Sequence, residues 1–348
     1  MSQVHINEFM VFKLKELSVA KARLLSAKIL LTGLTLLVAH PSYAQFAYRS
    51  ERLSRHEKQD RTDRSSGAEE IPLWTGMPPD GPGPDGQEKI SAKGSYTNIS
   101  QARLIVHRPK HPNGMAVLVI SGGGYAHIEI GKESNPAAEW LRSQGITAFE
   151  LIYRLPGEGW RNADVPLQDG QRAMRLIRSM AEKFGIDRHR IGIMGFSAGG
   201  HLAGMTETEP DQQLYNAVDR ADRLSARPDF VALLYPVITM LPPYNTTHSE
   251  KELIGKDPSR AQQRDYSVQL HVNEQTPPTF LAQATDDPIS NIENSSLMYS
   301  ALQRFNIPSE LHIFPTGGHG WGMEAPGSEE STWPELFKVW AKKNGIWK

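Results

Sequence analysis

The stretch RIGIMGFSAGGHLAG, residues 190–204, decides the fold: an apolar run, a serine between small residues, then a segment that can open a helix. IGIM reads as a strand and GGHLAGM as a helix start. Between them, Gly195-Phe196-Ser197-Ala198-Gly199 has the form G-x-S-x-G. In a sharp strand-to-helix turn this spacing strains the serine backbone and lifts its hydroxyl clear of the sheet. Glycines two residues to either side remove side chains that would collide across the turn. The same turn aims the Ala198 N–H and the helix N-terminus at a developing negative charge. A phosphate loop is excluded by the lack of G-K-[ST], and the dinucleotide spacing G-x-G-x-x-G fails because Ser197 stands where its second glycine belongs.

Around this stretch β-like runs alternate with helical patterns. ARLIVHRP, GMAVLVISGGG and ITAFELIYR read as strands, and PAAEWLRSQG as a short helix ending in glycine. Residues 165–184 read as the clearest helix, with Ala173, Leu176, Ile177, Met180, Ala181 and Phe184 on one face and Arg172, Arg175 and Arg178 off it. RIGIMGF, DFVALLYPVI, TPPTFLAQAT and ELHIFP supply further apolar runs. The alternation predicts an α/β fold, a mainly parallel sheet with helices on both faces. In such sheets sites form beyond the carboxyl ends of the strands.

Two more loops bear on chemistry. Ser121-Gly122-Gly123-Gly124-Tyr125 follows the strand AVLVI, and three consecutive glycines are tolerated mainly where backbone must approach something closely. Such a loop can donate a backbone N–H to an oxyanion; a plain flexible turn is the other reading. Of the 12 histidines, chain order (serine, acid, histidine) leaves His312 and His319 after the pair Asp286-Asp287. His312 alternates within a strand run, whereas His319 sits in the glycine-rich TGGHGWG, free to reach across a site. For the acid, Asp287 precedes Pro288, which keeps it extended at a strand end. Asp286 competes, its other reading being a turn or capping residue.

The whole chain sets outer bounds. It has 348 residues, 38 basic and 39 acidic, and no cysteine. Disulfides, thiolate metal sites and a cysteine nucleophile are therefore excluded, and the balanced charge argues against nucleic acid as a partner. Residues 1–44 read as a signal peptide: Lys13, Lys15, Lys21, Arg23 and Lys28 precede a short apolar run, and Ser42 and Ala44 suit a cleavage site before Gln45. The leader is long, so Met10 competes with Met1 as the start, and an amphipathic surface helix is the alternative reading. Export to the periplasm or beyond follows, with no membrane association after cleavage. Residues 45–70, rich in charge and poor in apolar side chains, read as a disordered tether, leaving 71–348 as the catalytic domain.

From about residue 71 onward the chain resembles the α/β-hydrolase superfamily. SGGGYAHIEIGKE, WLRSQGITAFELIYRLP, GFSAGGHLAG, PPTFLAQATDDP and GGHGWG look like a bacterial esterase group that includes acetyl-xylan esterases and feruloyl-esterase-like proteins. The resemblance implies a Ser197, Asp287, His319 triad, and an oxyanion hole from Gly123, Gly124 and Ala198. It also implies an irregular insertion at residues 240–275 and no metal or organic cofactor. Ser121 departs from the group, which has histidine there. The implied activity is deacetylation of acetylated xylan or xylo-oligosaccharides, with feruloyl or other small-acyl esters and exopeptidase action as alternatives. Tyr125, Tyr153, Trp160 and Trp321 fall in or beside the loops expected to rim the site and suit sugar rings; ordinary packing is their alternative role.

Overall fold

The apolar runs build one large sheet. The computed structural model describes residues 68–323 and 327–348. Its strands in chain order are β1 (Glu69–Pro72), β2 (Lys89–Ile90), β3 (Ser95–Thr97), β4 (Arg103–His107), β5 (Ala116–Ile120) and β6 (Ile128–Glu129). β7 (Thr147–Ile152), β8 (Ile191–Phe196), β9 (Val231–Leu234), β10 (Thr279–Ala284) and β11 (Ser309–Phe314) follow. The helices are α1 (Ser134–Ser143), α2 (Val165–Ser179), α3 (Ala181–Phe184), α4 (Ala198–Thr208), α5 (His248–Ile254), α6 (Arg260–Asp265), α7 (Glu293–Arg304) and α8 (Trp333–Lys343).

Eight strands pair in the order β1-β4-β7-β5-β8-β9-β10-β11, and β2-β3-β6 form a small separate sheet. β1 and β4 are antiparallel to their neighbours, and from β7 to β11 every pairing is parallel. β5, β8, β9 and β10 are buried along their whole length. That explains their continuous apolar text, since a parallel sheet is covered on both faces. Side chains alternate between two cores: Leu118, Ile193, Leu233 and Leu281 pack with Met174, Leu202 and Met298 of α2, α4 and α7. Val119, Met194, Ala232 and Phe280 pack with Leu141, Trp333, Phe337 and Trp340 of α1 and α8. Helices thus cover both faces, as the alternation predicts. Among the described residues no helix is long and apolar enough to cross a membrane.

Two local expectations change. Glu69 and Glu70, assigned to the tether, open β1 and pair with Val106 and Ile105 of β4. An edge strand is held by its backbone, and here Glu69 pairs with Lys183 and Glu70 with Arg103, so few apolar side chains are needed. The signal peptide and residues 45–67 of the tether lie outside the described residues. The helix expected over residues 165–184 is two, because the chain tightens at Met180, whose N–H is shared between Leu176 and Ile177 carbonyls. The arginines off its apolar face are held by the chain around them. Arg172 is 1% exposed, donates to Leu73 O and pairs with Asp219 and Asp222. Arg178 reaches the Arg188 and Arg227 carbonyls and Asp229. The connection between α4 and β9 therefore covers the side of α2 that periodicity leaves polar.

Candidate active site

β8 ends at Phe196, and Ser197 makes the turn into α4 with φ 51° and ψ −117°. For a serine this is a strained conformation, and strain persists only where the surroundings impose it. They do: Ser197 N–H donates to Leu234 O, while its own carbonyl accepts from Val237 and His201 N–H groups. A Cβ on Gly195 would lie 2.2 Å from Gly199 O, and one on Gly199 would lie 2.3 Å from Ile120 O. Both glycines of the motif are thus required by the helix passing close over β8 and β5.

Loops after β10 and β11 bring the other two polar groups. His319 Nε2 lies 2.7 Å from Ser197 Oγ, and His319 Nδ1 lies 2.7 Å from Asp287 Oδ2. Asp287 also accepts from Gln283 Nε2 at 3.0 Å, and its second oxygen accepts from Ile289 and Ser290 N–H at 2.8 and 2.9 Å. Every acceptor position points at a donor, so the carboxylate fixes the Nδ1–H tautomer of the imidazole and leaves Nε2 free to accept from Ser197. Asp286 is placed differently: it takes the N–H of Gly318 at 2.7 Å. It shapes the histidine loop without touching the ring.

The glycine loop packs directly on the serine, since a Cβ on Gly122 would sit 2.7 Å from Ser197 Cβ. The carbonyls of Gly122 and Gly123 accept from Glu129, Ala126 and His127. Among the described residues, the N–H groups of Gly123, Gly124 and Ala198 have no acceptor. Three open donors beside a serine are what a tetrahedral oxyanion needs. Ser121 fills the departure from the resembling group by joining a buried chain. Its hydroxyl meets Ser134 at 2.7 Å, Ser134 donates to Glu150, and Glu150 faces His107 at 3.2 Å. His107 is raised to about 9 against the pull of burial by its bonds to Glu139 and Glu150, so it stays charged at neutral pH.

The four aromatic residues expected at the rim are not brought there as a group. Tyr125 and Tyr153 have no accessible surface; one hydroxyl meets His201 Nδ1 at 2.9 Å and the other donates to Ser121 O at 3.0 Å. They lie beneath the glycine loop and support it, which corrects the expectation. Trp160 is 8% exposed, stacked on Arg154 and pressed against Gly83. Trp321 is 7% exposed and packs on Tyr235 and Phe314. All four are packed, and the indole N–H groups of Trp160 and Trp321 are buried without a hydrogen-bond partner among the described residues.

Sequence reading missed three groups that bear on the site. His201, in α4, bridges Tyr125 to the Tyr266 carbonyl and is lowered to about 4 by burial; it is a neutral brace between glycine loop, elbow and insertion. Glu133 and Tyr235 join the glycine loop to the histidine loop. Nothing in GKESNP or LLYPV marks them, because their meaning lies in a contact between distant segments. The insertion at residues 240–275 holds α5, α6 and a short turn, Val268–Leu270. His248 of α5 lies over Gly124, where a Cβ would be 3.1 Å from that of the histidine. Among the described residues no cluster of three or more His, Asp or Glu side chains is placed to hold a metal ion.

A serine elbow at the end of a central parallel strand, met by histidine and aspartate from later loops, on a sheet with this strand order, is the α/β-hydrolase arrangement. The chain belongs to the BD-FAE family, whose pattern matches residues 105–302. It is 33% identical over 242 residues to an acetylxylan esterase of Xylanibacter ruminicola, covering 67% of this chain and 47% of that protein. It is 37% identical over 213 residues to endo-1,4-beta-xylanase B of Butyrivibrio fibrisolvens, covering 59% of this chain and 32% of that one. The chain thus spans less than half the length of these two relatives. Among solved structures, an acetyl ester-xyloside bifunctional hydrolase from Caldicellulosiruptor lactoaceticus superposes with TM-score 0.70 at 34% identity, covering 81% of this chain and 98% of that one. The carboxylesterase Cest-2923 from Lactobacillus plantarum, at TM-score 0.60 and 20% identity over 75% of this chain and 98% of its own, shares the fold.

Proposed function

We propose that the protein is a serine carboxylic-ester hydrolase that removes acetyl groups from xylan fragments through an acyl-enzyme. One observation carries the reaction class: the unbroken 2.7 Å contacts from Ser197 to His319 and from His319 to Asp287, on a strained turn beside three open N–H donors. In this reading His319 Nε2 takes the Ser197 proton as Oγ bonds to the ester carbonyl carbon. Asp287 stabilises the imidazolium. Gly123, Gly124 and Ala198 N–H groups hold the oxyanion, each worth on the order of 3 kcal/mol. Collapse of the tetrahedral intermediate breaks the ester C–O bond, and His319 returns the proton to the leaving alcohol. Water, deprotonated by the same imidazole, then attacks the acyl-enzyme, releasing acid and restoring Ser197.

The acetyl and xylan assignment draws support from the acetylxylan esterase and the acetyl ester-xyloside hydrolase to which the chain is similar. Export, inferred from residues 1–44, would put the enzyme where polysaccharide fragments arrive. The test compares wild type with Ser197→Ala on acetylated xylo-oligosaccharides, methyl ferulate and an aminoacyl anilide. Acetate release from the oligosaccharide should be fastest and should vanish in the variant. Faster ferulate or anilide cleavage would overturn the substrate class, and undiminished activity in Ser197→Ala would overturn the nucleophile.

A further inference from the structure

The buried carboxylate of Glu133 stands between the two loops that flank Ser197. It is the N-cap residue of α1 and is 3% exposed. Oε2 accepts the Gly122 N–H at 2.6 Å, and Gly122 adjoins Gly123 and packs on Ser197. Oε1 accepts the Tyr235 O–H at 3.0 Å, and the Tyr235 oxygen accepts the Gly322 N–H at 3.0 Å, three residues beyond His319. The Gly322 carbonyl is held in turn by Trp333 Nε1, and a Cβ on Gly322 would lie 2.3 Å from Lys132 O. Gly322 is therefore pinned on both sides, and the link to Glu133 is rigid.

While Glu133 is a carboxylate, the proton count in this chain has one solution. Gly122 and Gly322 are obligate donors, so Tyr235 must donate its single proton to Glu133, and both carboxylate oxygens must accept. A protonated Glu133 has one oxygen that donates: on Oε2 it opposes the Gly122 N–H, and on Oε1 it is accepted by the Tyr235 oxygen only if the buried Tyr235 O–H turns away from Glu133 and loses that partner. We propose that Glu133 is a positioning residue: as a carboxylate it locks the glycine loop and the histidine loop together around Ser197, and on protonation it releases one of them. This inference rests on Ser197, His319 and the loop N–H groups acting as proposed above.

The surroundings make that protonation accessible near neutrality. Burial raises the Glu133 carboxyl to about 7, opposed by the bonds from Gly122 and Tyr235 and by nearby His319, with Glu129 adding to the rise. The groups facing it are Glu129 from β6, His319 from its loop, Tyr235 after β9 and Tyr153 after β7. Both tyrosines are pushed above their ordinary range by burial and stay neutral. The lock is thus half engaged at about pH 7, closes as pH rises above that value and opens as pH falls below it.

Glu133→Gln imitates the protonated state at every pH, because its amide can accept through one oxygen only. The experiment measures kcat and KM on p-nitrophenyl acetate from pH 5.5 to 9 for wild type, Glu133→Gln, Tyr235→Phe and the double variant, per active site titrated with an organophosphate, and for Ser197→Ala per mole of chain. Glu133→Gln should lower kcat roughly 10- to 100-fold at pH 8 with little change in KM, and flatten the profile around pH 7. Tyr235→Phe should lower kcat also, and the double variant should lose no more than the worse single one. A wild-type kcat and profile in Glu133→Gln, or losses that multiply in the double variant, would overturn the proposal. If Ser197→Ala stays active the underlying reading fails; if it is dead while Glu133→Gln is normal, only the positioning role fails.

Discussion

Replacing Asp287 by asparagine changes one atom, and the hydrogen bonds around it set the result. Asp287 faces four donors: Ile289 and Ser290 N–H on one oxygen, His319 Nδ1–H and Gln283 Nε2–H on the other. Asparagine keeps one acceptor oxygen. Turning that oxygen toward His319 would set the amide NH2 against two backbone donors that cannot move, so the favoured orientation keeps the oxygen on Ile289 and Ser290. The NH2 group then meets Nδ1, which must become the acceptor, and the ring proton shifts to Nε2. An Nε2–H faces Ser197 Oγ and cannot take its proton. The expected loss in kcat is roughly 10⁴-fold, the scale seen when a triad histidine is held in the wrong tautomer, or about 5 kcal/mol of barrier. Asp286→Asn, by contrast, still offers an oxygen to Gly318 N–H and should cost no more than about fivefold, from weakening one charge-assisted bond. Steady-state hydrolysis of p-nitrophenyl acetate at fixed pH distinguishes them. A near-normal kcat in Asp287→Asn, or a larger loss in Asp286→Asn, would refute the assignment of the acid.

Gly199→Ala would place a methyl 2.3 Å from Ile120 O and 2.5 Å from Ser121 O; neither backbone can yield, so activity should disappear with a stability loss of about 1–3 kcal/mol in urea unfolding. Arg154→Ala would strip Asp169 of its partner where both side chains are fully enclosed, and the stranded charge should lower stability by about 3–5 kcal/mol, read as a shifted denaturation midpoint. Burial raises the Glu207 carboxyl from 4.5 to about 8, so the folded chain binds a proton that the unfolded chain releases. Its contribution is complete below about pH 4.5 and is lost as pH rises through about 8. Glu207→Gln, neutral throughout, should therefore melt at a smaller penalty between pH 6 and pH 9 than wild type; parallel melting curves would contradict this.

Much of this architecture is written locally. Runs such as AVLVI and IGIMGF are apolar at every position because both sheet faces are covered, and G-x-S-x-G is forced by the close passage of α4 over β8 and β5. Asp287 and His319 were legible because each follows a strand run in the order that a serine elbow requires. What escaped sequence reading depends on segments meeting in space. Periodicity places Arg172 off the apolar face and says no more, and it is the chain after α4 that pairs it with Asp219 and Asp222. Tyr125 stands in loop text yet points inward, since the glycines before it let the backbone, and not the ring, approach the serine, and Tyr153, at the end of a strand run, points under the same loop and donates to Ser121 O. Glu133 and Tyr235 lie 102 residues apart, and their contact has no local signature.

The most direct test of the nucleophile is to treat the protein with diethyl p-nitrophenyl phosphate and locate the adduct by peptide mass spectrometry. One diethylphosphoryl group per chain on Ser197, formed in step with loss of esterase activity and absent from Ser197→Ala, is the predicted result. An adduct at another residue, or inactivation-resistant hydrolysis that survives in Ser197→Ala, would contradict it.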